Sequence, residues 1–373
     1  LRKIIRYTIL GTNILAALFL VLSSLSVYIR PEHLWIIAFF GLFFPYLYLI
    51  NLAFLLYWLL ARRLAILISL TVIVAGASFA GRLIRWPVNF SRNETHQLAD
   101  SLPRPDTLKI LSYNVRAFNL YDWAHNVKAA EGILKFTGSA EADIVCFQEF
   151  YSRAEKTLML RSIPHEPDIA PHAYLHYYFT DKQGGRYGIA TYSKYPIINR
   201  GALTFDNTFN VCIFTDIIYN GDTLRIYNNH LQSVRFKKGN YDFIDTVTFS
   251  YSEKKLNEIR DISSRLRNAY IKRSRQVDLI AAHIRQCPYP VVVCGDFNDT
   301  PISYTYQQMR GKLLDAFMEA GTGPGNTYQG RIPSFRIDYI LHSFDFRAVE
   351  FETIRINYSD HYPILAKLTA AKI

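Results

Sequence analysis

The sequence predicts an α/β protein, with a domain of two packed β-sheets under outer helices and three apolar helices ahead of it. Three observations carry this prediction. Strand-length runs of apolar and β-branched residues recur from Leu108 to Leu368, with helical patterns between several of them. The first 86 residues hold three long apolar runs. Several of the later runs end in an acid, an amide or a histidine. Periodicity alone does not separate two packed sheets from one doubly wound sheet.

The apolar runs are Tyr7–Ile29, Leu34–Leu60 and Leu64–Ala80. A membrane span takes about 20 apolar residues, with about 17 as the lower end. The first two runs exceed that and the third meets it narrowly. Pro45 falls inside the second run, where a spanning helix can tolerate it. Trp35, Tyr57, Trp58 and Trp86 lie near run ends, as interfacial aromatics do. A cleaved signal peptide would have a shorter apolar core than the first run. Arg2, Lys3 and Arg6 precede the first run and Arg62-Arg63 separates the second from the third. Basic residues favour the cytoplasmic side, so three spans place everything after residue 86 outside it. Arg82 and Arg85 argue weakly the other way. The expectation is a multi-pass inner-membrane protein with an extracytoplasmic C-terminal domain.

Charge supports this division. The chain of 373 residues carries +11, of which residues 1–86 supply eight basic residues against the single acid Glu32. The remainder is close to neutral, so the high isoelectric point is mostly a membrane-flank signal. Nucleic acid as a partner is possible but not favoured, since tight binding needs a basic patch on the folded domain. Cys146, Cys212, Cys287 and Cys294 match no zinc spacing. Pro87–Asp106 is polar, carries Pro103 and Pro105, and reads as a linker. The expected domains are therefore a membrane segment over 1–86, a linker over 87–106 and a soluble domain over 107–373.

Taken in order, the last of these begins with a strand at Leu108–Val115 that delivers Asn114. A helix is expected over Asn126–Phe136. Asp143–Phe147 is a buried strand leading to Gln148 and Glu149, and a helix over Ala154–Ser162 follows. Ala173–Thr180 and Tyr187–Ser193 are strands joined through Gly184-Gly185. Thr208–Tyr219 and Thr223–His230 flank Asn220-Gly221-Asp222, the pattern of a tight hairpin. Residues 234–270 begin polar and aromatic, and part of that stretch is expected to cover a site. A charged helical pattern spans Glu253–Ile284. Val291–Cys294 is a short apolar strand ended by Gly295; if extended geometry continues past that glycine, Asp296 and Asn298, two apart, project side by side. Phe335–Leu341 carries Asp338, and Ser359-Asp360-His361-Tyr362-Pro363 precedes the last strand, Ile364–Leu368.

Each polar strand end has a plain reading alone. Asp296 and Asn298 could simply bond their own backbone in an Asx-turn. His230 could be a satisfied structural histidine. Asp338, flanked by Ile337 and Tyr339, must be paired if it is buried. Coincidence becomes a poor account of Asn114, Glu149, His230, Asp296, Asn298, Asp338, Asp360 and His361 together. Carboxylate and amide oxygens without thiolates suit a hard cation, Mg²⁺ or Mn²⁺. Histidines can stabilise or protonate developing oxyanions, and an acid such as Asp338 can hold one of them charged.

The stretches Leu111-Ser112-Tyr113-Asn114-Val115, Phe147-Gln148-Glu149, Asn228-Asn229-His230-Leu231, Gly295-Asp296-Phe297-Asn298, Ile337-Asp338-Tyr339-Ile340 and Ser359-Asp360-His361-Tyr362-Pro363 resemble, in order, the motifs of the endonuclease/exonuclease/phosphatase (DNase I-like) superfamily. The resemblance implies a four-layer α/β/β/α sandwich and metal-dependent hydrolysis of phosphoesters. It implies Glu149 as principal Mg²⁺ ligand, with Asn114 and Asp360 near the metal. It implies Asp296 orienting or deprotonating the attacking water and Asn298 on the phosphate. His361, paired with Asp338, and His230 would stabilise the transition state.

Two departures narrow the expectation. Phe150-Tyr151 follows Glu149, where abasic-site endonucleases typically have Thr-Lys. Gly185-Arg186-Tyr187-Gly188 holds no acid where DNase I-like nucleases place a partner for the first histidine, so Arg186 and Tyr187 are candidate substrate contacts. The expected protein is a membrane-anchored phosphodiesterase or phosphomonoesterase, with lipid or head-group phosphoesters favoured by the tether. An extracytoplasmic nuclease is the competing enzyme reading, and a non-catalytic binding domain on the same fold is the competing class. The bilayer and a phosphoester are the partners inferred; no obligate protein partner follows.

Overall fold

The computed structural model describes residues 1–86, 107–120, 128–153, 169–236, 253–330 and 335–371. The expected linker over 87–106, the expected helix over Ala154–Ser162 and residues 237–252 lie outside the described residues. The chain divides into two compact units. One comprises Leu1–Ile84, Ser233–Asp278 and Asp299–Met309; the other comprises Arg85–Gln232, Leu279–Asn298 and Arg310–Ile373.

The first unit is helical. Its leading helices are α1 (Arg2–Leu25), α2 (Pro31–Leu42), α3 (Phe44–Leu60) and α4 (Ile66–Ala80). The three expected spans reduce to one clear candidate, Lys3–Leu25. The second run is broken: α2 and α3 meet at a bend of 56°. Pro45 lies in the first turn of α3, where its missing N–H costs nothing, so a new helix starts there instead of the old one continuing. The third run gives only 15 helical residues, about 22 Å at 1.5 Å per residue, short of a hydrocarbon core of about 30 Å.

Polar groups staple these apolar helices. Asn13 Nδ2 donates to Ser69 Oγ (2.7 Å), Trp58 Nε1 donates to Asn13 Oδ1 (2.9 Å), and Asn51 Nδ2 donates to the Ala16 carbonyl (3.1 Å). All of these side chains are buried, so each bond avoids an unsatisfied polar group in an apolar setting. Ile302 joins Leu20, Val27, Phe44, Leu47 and Phe79 in one core. Ala38 packs with Leu266 and Tyr270 of the long helix α6 (Glu253–Arg285). Asp299 is buried here: Arg273 Nε lies 3.3 Å from Oδ2, and Thr305 Oγ1 donates to it at 2.8 Å.

The second unit holds two six-stranded sheets. One runs β11 (Phe346–Thr353), β12 (Ile364–Ala370), β1 (Thr107–Asn114), β2 (Ile144–Arg153), β4 (Gly185–Ser193), β3 (His172–Thr180). The other runs β9 (Leu314–Asp315), β10 (Asp338–His342), β8 (Val291–Asp296), β7 (Asp222–His230), β6 (Val211–Tyr219), β5 (Ile197–Thr204). Both sheets are mixed: β1/β2 and β7/β8 are parallel and the other pairs antiparallel. Helix α5 (Ala129–Ser139) packs through Ala130 and Ile133 on the outer face of the first sheet, beside Leu111, Tyr113, Phe147 and Leu365. The last turns of α6 lie on the second sheet, where the Tyr227 hydroxyl meets His283 Nδ1 at 2.8 Å. The β6/β7 hairpin turns at Asn220 (φ 52°) and Gly221 (φ 89°), as the Asn-Gly pair predicts.

The alternation of each strand fixes what lies between the sheets. Ile110, Cys146, Ile226, Cys294 and Ile340 share one buried core with strands of both sheets. Residues two or four apart on a strand face the same way. Asn114 therefore follows Ile110 to the inner face, His230 follows Ile226, Asp296 follows Cys294, and Asp338 precedes Ile340. Sequence alternation thus delivers four polar side chains to one end of the intersheet space.

Candidate active site

The parallel pairing of β7 and β8 sets His230 opposite Asp296, and the antiparallel pairing of β8 and β10 sets Asp338 opposite Asp296. Gly295 makes this possible. Its φ is 128°, and a Cβ there would run into the backbone of Asn229.

Asp296 is the hub and is 1 % exposed. Asn114 Nδ2 donates to its Oδ2 at 3.0 Å. The Asn298 backbone N–H donates to Oδ1 at 2.8 Å, and Asn298 Nδ2 donates to Oδ2 at 2.9 Å. Here the extended-strand expectation is corrected. Asn298 has φ 53°, so it does not project beside Asp296 but folds back onto it in an Asx-turn. The plain reading and the functional one describe the same residues. His361 Nε2 lies 3.8 Å from Asp296 Oδ2, and His361 Nδ1 bonds Asp338 Oδ2 at 2.9 Å. His230 Nε2 lies 3.4 Å from Glu149 Oε1 and 3.9 Å from Asp296 Oδ2. Asn114 Nδ2 also reaches Glu149 Oε1 at 3.4 Å.

Glu149 owes its place to irregular backbone. Register slips between Phe147 and Phe150, and Glu149 has φ 49°. Such a conformation costs about 1–3 kcal/mol in an ordinary residue. It turns the carboxylate, 36 % exposed, out of the sheet alternation. Asp360 is reached from the other side, where Ser359 Oγ donates to the Asn114 carbonyl at 2.8 Å.

Sequence reading missed Arg116, whose guanidinium lies 2.5 Å from Asp360 Oδ2. Residues Arg116 to Asn119 all have φ between 44° and 57°, a left-handed run without glycine. The missed signal was spacing: Arg116 follows Asn114 by two residues, as Asn298 follows Asp296. Arg186 and Tyr187 are not in the carboxylate–histidine cluster. Arg186 lies over the Tyr177 ring (4.5 Å) and Tyr187 packs on Tyr151 (5.0 Å), two residues past Glu149.

Burial first, and the Asp338 charge second, push the Asp296 carboxyl up to about 7, against His361 and two hydrogen bonds that favour the anion. Burial opposes a charge on His361, yet Asp338 and Asp296 overcome it and raise the imidazole to about 10. Asp360 is raised, chiefly by burial and also by Glu149, with His361 and Arg116 opposing. Asp296, Asp338 and His361 place ligand atoms within 4.8 Å of one another, close enough to hold one divalent cation. Oxygen donors from Glu149, Asn114 and Asp360 adjoin this cluster, and no thiolate does. That donor chemistry fits a hard cation.

Fold and site together define a phosphoesterase-like domain. The chain belongs to the endonuclease/exonuclease/phosphatase family, whose model matches residues 111–361. Residues 2–83 match a domain of unknown function, DUF8431. No curated protein matches the sequence. Among solved structures, an endonuclease/exonuclease/phosphatase from Beutenbergia cavernae is similar at 14 % identity, covering 71 % of this chain and 72 % of that one, with a TM-score of 0.50. One from Bacteroides vulgatus is 18 % identical, covering 71 % and 99 %, with a TM-score of 0.49. The human Nocturnin catalytic domain with bound sulfate is 16 % identical, covering 72 % and 95 %, with a TM-score of 0.48. The first of these shares the fold.

Proposed function

We propose that the protein is a membrane-attached, divalent-metal-dependent hydrolase of phosphoester bonds, with Mg²⁺ or Mn²⁺ as the cation. The observation that carries this is Asp296, buried among Asn114, His230, Asp338 and His361, with a carboxyl raised to about 7. A group poised near neutrality beside a charged imidazole is suited to general acid–base work.

Glu149, Asn114 and Asp360 would hold the cation. His361 is the poorer ligand, because an imidazole protonated up to about 10 offers no lone pair and its Nδ1 is already on Asp338. When bound, the cation would neutralise phosphate charge and polarise phosphorus. Asp296 takes a proton from the attacking water as the water oxygen bonds phosphorus. The bond from phosphorus to the alcohol oxygen breaks, and His361 or His230 returns a proton to that oxygen. Asn298 orients Asp296 through its side-chain amide and its backbone N–H, and Asp338 holds His361 charged and oriented.

The membrane attachment rests on α1, whose mean hydropathy over its most apolar window is 2.0. Ile14, Leu15, Leu18 and Val21 are exposed along it, as a lipid-facing side requires. Helices α2–α4 also expose apolar residues, among them Leu49, Leu56, Leu67 and Val74, and we place them in or against the same bilayer. With α1 crossing once and Lys3 and Arg6 on the cytoplasmic side, the catalytic domain is extracytoplasmic.

The test uses the full chain in lipid nanodiscs. The helical residues share a folded unit with 233–278 and 299–309, so a truncated domain is not an equivalent protein. Hydrolysis of bis-p-nitrophenyl phosphate, p-nitrophenyl phosphate, plasmid DNA and phospholipids is measured with Mg²⁺ and with EDTA, for wild type and Asp296→Ala. Mg²⁺-dependent turnover lost in the variant is expected. Turnover on no substrate would favour a binding domain; plasmid nicking as the dominant activity would favour the nuclease.

A further inference from the structure

Helix α6 lies along α2 and outruns it. At one end Arg275 Nε donates to Glu32 Oε1 at 2.9 Å, and Arg30 lies 3.1 Å from Asp278 Oδ2. Further along, Ala38 packs on Leu266 and Tyr270, with Phe39 and Ile262 beside them. Numbering rises along α2 as it falls along α6, so the two helices run antiparallel. Leu256, Ile259, Ile262, Leu266 and Tyr270 recur at spacings of three and four, which is one face of one helix. The later part of that face is closed by α2, and Leu266 and Tyr270 are buried. The earlier part continues past α2, with Leu256 36 % exposed and Ile259 48 %. Both therefore point to the side on which α2 lies. Helix α2 itself exposes Leu34 and Ile36, in keeping with a place in or against the bilayer.

Charge gathers on the same helix. The chain carries +11 and residues 1–86 carry +7, so the rest carries +4. Residues 255–275 alone hold seven basic residues against two acids, a net of +5. The whole positive excess of the later chain is thus on this helix. One of the two acids, Asp261, is taken by Arg265 at 2.9 Å. Arg260 and Arg267 lie two turns apart on the flank nearest Leu256, are exposed, and pair with no described acid. An apolar strip with cations on its flank suits a helix lying in a headgroup layer: the strip enters by about 5–10 Å and the bases meet phosphate. The phosphates of a nucleic acid would take the charges and leave Leu256 and Ile259 in water.

We propose that the first half of α6 is an interfacial helix that docks on an acidic phospholipid surface, with Leu256 and Ile259 in the lipid and Arg260 and Arg267 on the headgroups. This rests on the membrane-attached reading and names its lipid partner. The same helix holds Asp299 through Arg273, so the lipid contact and the anchor of the residue after Asn298 share one element.

The test uses the full chain with Cys287→Ser, which leaves the buried Cys146, Cys212 and Cys294 as native thiols. A nitroxide is attached through Leu256→Cys, Asn268→Cys or Ile14→Cys, in nanodiscs of phosphatidylcholine alone or mixed with phosphatidylglycerol. Collision with oxygen reports the bilayer, and collision with a water-soluble nickel chelate reports water. In the mixed lipid, the Leu256 label should be open to oxygen and shielded from nickel, and the Asn268 label the reverse. Arg260→Gln/Arg267→Gln, or phosphatidylcholine alone, should open the Leu256 label to nickel. A Leu256 label as open to nickel as the Asn268 label, with the Ile14 label shielded, would overturn this inference alone. Shielding that ignores both lipid charge and the double variant would overturn the acidic-headgroup contact. Shielding produced by duplex DNA and not by phosphatidylglycerol would replace the lipid with a nucleic acid. An Ile14 label open to nickel would overturn the membrane reading, and the inference with it.

Discussion

Asp338 and Asp296 are direct partners across β10 and β8, and His361 bridges them, with Nδ1 2.9 Å from Asp338 and Nε2 3.8 Å from Asp296. Two buried carboxylates side by side repel, and the Asp338 charge helps burial to raise the Asp296 carboxyl. The imidazolium between them relieves that repulsion, and the same carboxylates keep the ring protonated to about 10. Asp338 thus acts on the reaction through His361.

Replacing Asp338 by Asn keeps the size and removes the charge. His361 should then lose its proton at much lower pH. The Mg²⁺-dependent rate is expected to fall by about 10²–10⁴, the usual value of a general acid, and the alkaline limb of the pH–rate profile should move down from near 10. A slower enzyme with an unmoved alkaline limb would assign that limb to another group.

Stability should also report the cluster. An unfolded Asp ionises near about 3.9. Burial, then Asp338, raises Asp296 to about 7 in the native state. Between those values the native protein holds a proton that the unfolded chain has lost, so stability falls as pH rises. His361 continues the trend. Its unfolded value is about 6.5, and its native value is raised to about 10. Its contribution is complete below the first and lost as pH climbs through the second. Thermal unfolding in EDTA should therefore show a Tm that declines from about pH 5 to pH 9. A cation favours ionised carboxylates, so Mg²⁺ should flatten the part of that decline below about pH 7. Identical slopes with and without Mg²⁺ would mean that no cation sits on these groups.

Glu149 gives an independent check. Its carboxylate is the most exposed of the cluster acids and the one turned out of the sheet by a left-handed backbone. Glu149→Ala should weaken Mg²⁺ binding by about tenfold or more, with activity partly restored by excess metal. Calorimetric Mg²⁺ affinity equal to wild type would take Glu149 out of the coordination sphere.

Much of this site was legible because strand alternation is a strict code. Ile226 and His230, or Cys294 and Asp296, need only be two or four apart to share a face, and Asn-Gly at 220–221 names its own turn. What alternation cannot encode was not legible. Glu149 and Asn298 take positive φ values, and only a bulge and a turn explain where they point. Arg116 sits on four consecutive left-handed residues, which no propensity anticipates. The apolar runs show the opposite failure. Hydropathy counts residues and cannot see that Pro45 restarts a helix at a 56° bend. Nor did the sequence tell that Ile302 and Leu266, both in the polar-rich part of the chain, would pack with those helices.

That packing makes a final prediction. Ser26 Oγ donates to the Ile302 carbonyl at 3.0 Å, and Gly41 lies so close that a Cβ would run into both groups. Arg82 adds a bond to Gln307 Oε1 at 3.1 Å. Gly41→Val should overpack this junction and cost about 1–3 kcal/mol, read as a lowered Tm of the full chain. Ser26→Ala leaves the carbonyl of Ile302 short of a donor and should cost about 1 kcal/mol. Beginning the chain at residue 104 removes Leu20, Val27, Phe44, Leu47 and Phe79 from around Ile302 and exposes Leu266 and Tyr270, now 6 % and 3 % exposed. Such a fragment should aggregate or bind a hydrophobic dye such as ANS. If it is monomeric, binds no dye and unfolds at the temperature of the full chain, the helices act as a tether and contribute nothing to the fold of Ser233–Asp278 and Asp299–Met309.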